Sequence, residues 1–339
     1  MIKLNIFVLV FSISSIFIFN KKDHKPVFKK PDDTSNNFIW GINGHPLSQI
    51  AYINSDLDTQ FALIKKLGLT YYRIDIPTDK NGNISNSASF VKIMNSAKAH
   101  QIKILPVFYL VGFDPTTDAS TAFNNGKNLG SSISKKYGNY FDYYELGNEE
   151  EFKIMKPNSD GDQLSNYDIA KGKILAAFLN GMINGIKIHH PSAKTIIDFA
   201  GWLHFGYLTL LRNENVNYDI VGLHWYSEMG KLTDINSKHI NIINLLADKF
   251  GKPIWITEIN KQNINSEERN DTQAYWLQEY INESRQSTHI KAFFVYELFD
   301  EPAFGKQPEA NYGIIKWVTP YTRYSFKPAT VMLKSQIIN

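Results

Sequence analysis

Glu149 and Glu258 are the residues around which a chemistry can be built. Glu149 ends the run Tyr143-Tyr144-Glu145-Leu146-Gly147-Asn148-Glu149, and Glu258 ends Ile254-Trp255-Ile256-Thr257-Glu258. Both runs are rich in β-branched and aromatic residues and read as buried strands. Glycosidic bonds are cut by such a pair of carboxyl groups. One protonates the leaving oxygen, and the other attacks the anomeric carbon or activates water. A gap of about 5–5.5 Å between them gives double displacement, and about 6.5–9.5 Å gives inversion.

Further polar and aromatic residues fall at the ends of other strand-like runs. Asn43 and His45 follow the first, Arg73 and Asp75 lie in the second, and Tyr109 and Trp202 follow the third and fifth. His224-Trp225-Tyr226 closes the sixth, Asn260 follows Glu258, and Glu297, Asp300 and Glu301 follow the eighth. Trp225, Tyr109 and Trp202 are candidates to lie flat against a sugar ring. No metal is expected: no His-x-His or His-x-x-x-His pair ends a strand, and the adjacent His189-His190 is a poor chelating spacing. No cofactor is expected either. The first turn, Gly41-Ile42-Asn43-Gly44-His45, lacks the dinucleotide pattern of a doubly wound sheet.

Eight segments must carry these side chains. They are Phe38–Asn43, Thr70–Ile76, Ile102–Tyr109, Tyr140–Gly147, Lys194–Ala200, Tyr218–Trp225, Pro253–Thr257 and Lys291–Glu297. Amphipathic helical stretches lie between some of them: Leu57–Leu67, Ile169–His189, Ile240–Phe250 and Thr272–Ser284, with a last helix near Ala329–Ile338. Alternation of this kind predicts one (β/α)₈ TIM barrel over residues 37–339, with its chemistry at the C-terminal ends of the strands. In that ring the fourth and seventh strands stand nearly opposite, so their glutamates converge.

The composition is consistent with this reading. The chain has 339 residues and is 43% hydrophobic, enough for a large core. There is no cysteine, which rules out disulfides, thiolate metal sites and cysteine nucleophiles. The formal charge of +3 comes from the N-terminus, where residues 1–30 hold six lysines and one acid. The other 30 basic and 32 acidic residues nearly balance, so no nucleic-acid surface is expected. Residues 6–19 are almost wholly apolar and are stopped by Lys21 and Lys22. Residues 1–20 read as a signal peptide or membrane anchor and 21–36 as a linker, which puts the body outside the cytoplasm as a secreted, periplasmic or tethered protein. Nothing in the sequence speaks to oligomeric state.

Over residues 37–335 the chain resembles the clan A glycoside hydrolases, retaining (β/α)₈ enzymes, through Asn148-Glu149, Glu258, Arg73 and His224-x-Tyr226. The resemblance implies Glu149 as acid/base, Glu258 as nucleophile, Asn148 on the sugar 2-hydroxyl, and Arg73 with Tyr226 orienting Glu258 and keeping it ionised. An acid/base is expected to be protonated at rest. The substrate class would be a β-linked oligo- or polysaccharide, also contacted by His224, His45 and Glu297. Xylosidase-like and heparanase-like branches stay open. So do two other uses of the same residues, a transglycosylase and a carbohydrate-binding barrel without activity. There are departures. Members often have Trp before the Asn-Glu pair, where this chain has Gly147. Many end the eighth strand in Trp, where this chain reads Tyr296-Glu297-Leu298-Phe299-Asp300, so Phe299 or Trp317 is expected to floor the sugar site. Glu150 and Glu151 read as a solvated loop. The loops 150–166 and 300–313 are expected to wall the site.

Overall fold

The computed structural model describes residues 38–235, 239–261 and 268–337. The leader and linker segments, 1–20 and 21–36, lie outside the described residues. Among those described, no helix is long and apolar enough to cross a membrane.

Eight parallel strands close into a barrel in sequence order, β8 returning to β1. They are β1 Ile39–Gly44, β2 Tyr71–Asp75, β3 Lys103–Phe108, β4 Tyr143–Leu146, β5 Lys194–Ile197, β6 Ile220–Tyr226, β7 Ile254–Asn260 and β8 Ile290–Val295. The expected segments are all present, with ends shifted by up to three residues. Strand β7 runs on to Asn260, so Glu258 sits within it.

Helices follow the strands: α1 Ile50–Ile53 and α2 Leu57–Lys66 after β1, then α3 Ser87–His100, α4 Ala119–Tyr137, α5 Ile169–His189, α6 Gly206–Asn213, α7 Ile242–Phe250 and α8 Glu268–Gln286. After β8 comes a hairpin, β9 Ile315–Thr319 and β10 Arg323–Phe326, and the last helix α9 Pro328–Ile337. Their starts are chemically marked. Asp56, Asn86, Asp118, Asp168 and Asn241 each accept a hydrogen bond from a first-turn backbone N–H of α2, α3, α4, α5 and α7.

Alternation along the strands builds the barrel interior in layers. Tyr71, Leu105, Ile196, Ile220, Trp255, Ala292 and Phe294 pack into an apolar plug. Two residues further along the same strands come Arg73, Val107, Asp198 and Gly222, and next Asp75 and Tyr109 at the mouth. The apolar layer thus floors a polar one. A second, larger core lies between strands and helices. There α4 and α5 approach backbone to backbone. A Cβ on Gly126 would fall 2.0 Å from the Phe178 carbonyl oxygen, and one on Gly181 would fall 2.0 Å from that of Phe123.

Candidate active site

Arg73 organises the polar layer. It is 2% exposed, and every donor direction of its guanidinium is used. Nε donates to Glu145 Oε2 at 2.6 Å, and one terminal nitrogen donates to Asn43 Oδ1 and to Glu258 Oε1, each at 2.7 Å. The other donates to Glu145 Oε1 at 3.1 Å and to Asn148 Oδ1 at 3.0 Å. Asn43 is locked in turn, its Nδ2 donating to the Thr257 and Val295 carbonyls at 3.0 and 3.2 Å. The second oxygen of Glu258 accepts from the Tyr226 hydroxyl at 2.6 Å. Both oxygens of that carboxylate are therefore fixed by donors suited to negative charge. Register shifts in β6 at Leu223/His224 and in β7 after Ile256 bring His224 opposite Glu258.

Glu149 arrives by a different route. Gly147 turns the chain with φ +85°, where a side chain would also collide with Glu150. This is why a larger residue does not precede Asn148 here. Glu149 itself holds φ 53° and ψ 45°, and its N–H donates to Asp198 Oδ1 at 2.6 Å. Its carboxylate accepts from His224 Nδ1 at 2.8 Å, and that nitrogen stands 3.7 Å from Glu258 Oε2. One oxygen each of Glu149 and Glu258 lie within 4.8 Å of each other.

The charge states follow from these contacts. Burial opposes a charge on His224, but Glu258, Asp198, Glu145 and Glu149 push its pKa well above the usual imidazole value. Burial favours the neutral form of Glu149. The hydrogen bond and charge of His224, with Arg73, nevertheless hold its carboxyl below the usual range. These contacts favour a protonated imidazole beside an ionised Glu149, whereas a resting acid is expected to be protonated. Burial likewise opposes ionisation of Glu145, yet Arg73 keeps its pKa at about 2. Asp198 is pushed well above its ordinary value by burial. Two sets of donor atoms, Glu145/Asp198/His224 and Glu149/His224/Glu258, are close enough to bracket an ion. Each contains a carboxylate that already accepts from Arg73 and an imidazole held protonated, which fits an ion-pair network better than a ligand set.

A cavity of about 450 Å³ opens above this layer. Asn148, Glu149, Tyr226 and Glu258 line it, as do His45, Tyr109 and Trp202. His45 Nδ1 contacts Asp75 Oδ2 at 2.8 Å. Burial opposes its charge, but Asp75, with Glu297 and Glu258, raises its pKa to about 9. Tyr109 and Trp202 are 39% and 36% exposed, as a stacking surface requires.

Several expectations need correction. Trp225 does not face the cavity: it is fully buried on the outer side of β6, its Nε1 donating to the Gly230 carbonyl at 2.9 Å. Glu297 is also fully buried, accepts from the Tyr52 hydroxyl at 2.6 Å, and is driven by burial to about 8. It lies behind His45, 3.7 Å from its Nε2, and does not line the cavity. Arg73 and His224 act on the carboxylates and do not line the cavity. Phe299 and Trp317 pack against each other at a tilt, with centroids 4.6 Å apart, and neither lines the cavity. Tyr296 and Tyr312 line it instead, held by Asn260 Nδ2, which donates to both of their carbonyls. Glu150 and Glu151 are not solvated. Both are buried, Glu150 paired with Lys153 and Glu151 accepting from Ala200 N at 2.6 Å. Glu145 and Asp198 were not singled out as site residues, although the alternation of inward positions along β4 and β5 marks them. The expected wall loops do contribute: Phe152 from the first, Glu309 and Tyr312 from the second.

Comparisons with known proteins point the same way. Residues 176–312 match the family model described as a glycosyl hydrolase catalytic core. No curated protein matches the chain. Among solved structures, the chain is similar to a family 1 β-glucosidase from Thermotoga maritima at TM-score 0.66 and 12% identity, over 89% of this chain and 98% of that one. The β-glucosidase of that organism bound to azafagomine gives TM-score 0.67 at 13% identity, over 89% and 98%. Its complex with noeuromycin gives 0.66 at 14%, over 91% and 98%. At these identities the likeness is one of fold.

Proposed function

We propose that this chain, a glycoside hydrolase of the clan A superfamily, cleaves a β-linked oligo- or polysaccharide with retention of configuration, using Glu258 as nucleophile and Glu149 as acid/base. The observation that carries this reading is that one oxygen of Glu149 and one of Glu258 lie within 4.8 Å of each other, a closeness that supports double displacement. In the first step Glu258 Oε bonds to the anomeric carbon as the bond to the leaving oxygen breaks. That oxygen takes a proton from Glu149. In the second step Glu149, now a carboxylate, removes a proton from water, whose oxygen displaces Glu258 and releases the sugar. The proton that Glu149 must carry into the first step is the one held at His224 Nδ1, 2.8 Å away. Asn148 reaches the 2-hydroxyl, and Arg73 and Tyr226 keep Glu258 aimed. The apolar run 6–19 supports action outside the cytoplasm, by export or tethering.

A 2-deoxy-2-fluoro glycoside with a good leaving group tests the assignment. Mass spectrometry should find one covalent sugar, on the peptide carrying Glu258, and Glu258→Ala should abolish turnover. Glu149→Ala should lose about 10²–10⁴-fold on substrates whose leaving group needs protonation. Release of the inverted anomer, or a label elsewhere, overturns the reading.

A further inference from the structure

Nucleophilic attack expels the leaving group on the side of the anomeric carbon opposite Glu258, past the proton donor Glu149. Two exposed aromatic rings come from the loop that carries Glu149 and from the loop beside it. Phe152 follows Glu149 by three residues and is 50% exposed, while Trp202 comes from the neighbouring loop after β5 and is 36% exposed. Both line the cavity. Trp202 adopts φ 41°, a left-handed backbone that a bulky residue takes only when its surroundings enforce it.

The acid expected in solvent anchors the chain on either side of Trp202. Glu151 is fully buried, and its Oε1 accepts from Ala200 N at 2.6 Å and contacts His204 Nδ1 at 3.2 Å. His204, 5% exposed, lies behind both aromatic rings, with its centroid 5.5 Å from Phe152 and 6.0 Å from Trp202. One buried carboxylate thus ties the β4 loop to the β5 loop and mounts the two rings on one support.

We propose that Phe152 and Trp202, held by Glu151 and His204, form a stacking platform for the sugar on the leaving-group side of the cut, so that the substrate extends at least one unit beyond the scissile bond. The inference rests on the acid/base assignment of Glu149. Glu151 and His204 are positioning residues. In the second step the same platform seats an acceptor sugar competing with water.

Glycosyl fluorides separate the two ideas, because they fill only the nucleophile side and their leaving group needs no acid. The full chain is assayed on β-fluorides of xylose, glucose, mannose and glucuronic acid, and on the tetrasaccharide of whichever sugar is turned over. Trp202→Ala should lower the ratio of tetrasaccharide to fluoride kcat/KM by about tenfold, equivalent to ~1.4 kcal/mol. Trp202→Phe should restore most of it. Glu151→Ala should lower the same ratio through KM, and Glu151→Gln, which still accepts from Ala200 N, should lower it less. Phe326→Ala, an exposed aromatic on the distant hairpin, is the control and should leave both rates as they are. If the fluoride is hydrolysed but Trp202→Ala leaves the ratio unchanged, the platform is wrong and the retaining reading stands. If fluoride hydrolysis releases the α-anomer first, the retaining reading fails and the platform with it.

Discussion

Arg73 joins Glu145, Glu258, Asn43 and Asn148 in a single planar fork, a geometry that lysine cannot reproduce. Removing it leaves buried carboxylates uncompensated. Arg73→Met is therefore expected to cost about 3–5 kcal/mol of stability, read by denaturant unfolding. Arg73→Lys should keep the charge but lose most activity. His224 has a different signature. While the proton rests on its imidazole, the alkaline limb of kcat/KM marks its loss, and that limb lies well above the ordinary imidazole pKa. In His224→Asn the proton must be held by Glu149 itself. The alkaline limb then moves to lower pH by more than one unit, in a profile taken from pH 4 to 10. A limb that stays in place would separate His224 from proton supply.

At the level of elements, the strand segments with polar residues at their ends and several amphipathic helices were readable, but helix–helix contact was less so. Helix α4 carries few large apolar residues, only Phe123, Leu129, Ile133 and Tyr137, and the rest of its buried face is Ala122, Gly126, Gly130 and Ser134. It is held by glycines four apart: Gly126 and Gly130 meet the backbone of Phe178 and Met182 on α5, and Gly181 and Gly185 of α5 meet the backbone of Phe123, Lys127 and Ser131 on α4. Gly181→Ala forces a methyl group into a carbonyl and is expected to destabilise by about 1–3 kcal/mol, measured as a lower Tm with unchanged KM. The short helix at 150–153 escaped notice for the opposite reason. Its acids look like a solvated run, and only the β5 loop packed beside it supplies the donors that bury Glu151.

For the molecule as a whole, titration sets the pH range of stability. Asp300 is raised by burial to about 6 and Glu297 by burial to about 8. Each holds in the folded state a proton that the unfolded chain releases near its ordinary carboxyl pKa, so stability falls as pH rises between the two values. His45, at about 9 in the fold, contributes fully below its unfolded value of 6.5 and loses that contribution as pH rises through about 9. Glu145, at about 2, acts oppositely: its contribution is present above its ordinary 4.5 and is lost as pH falls toward 2. Thermal unfolding should show its highest Tm near pH 5 and a steady decline to pH 9. A maximum above pH 8 would contradict these assignments.

Strand–helix alternation, the eight strand segments and some of the polar residues near the mouth of the barrel were legible in the sequence, because alternation of inward and outward positions is a local property of each strand. Glu149 and Glu258 could be named from their place at strand ends. Tertiary structure alone decided their spacing, which depends on ring closure and on the bulges in β6 and β7. It also decided that Trp225 packs outward, that Tyr296 and Tyr312 line the cavity in place of Phe299 and Trp317, and that the Glu149 carboxyl meets His224. Each of these depends on which neighbour from a distant part of the chain arrives to bury, pair or exclude a side chain, and no local pattern encodes that arrival.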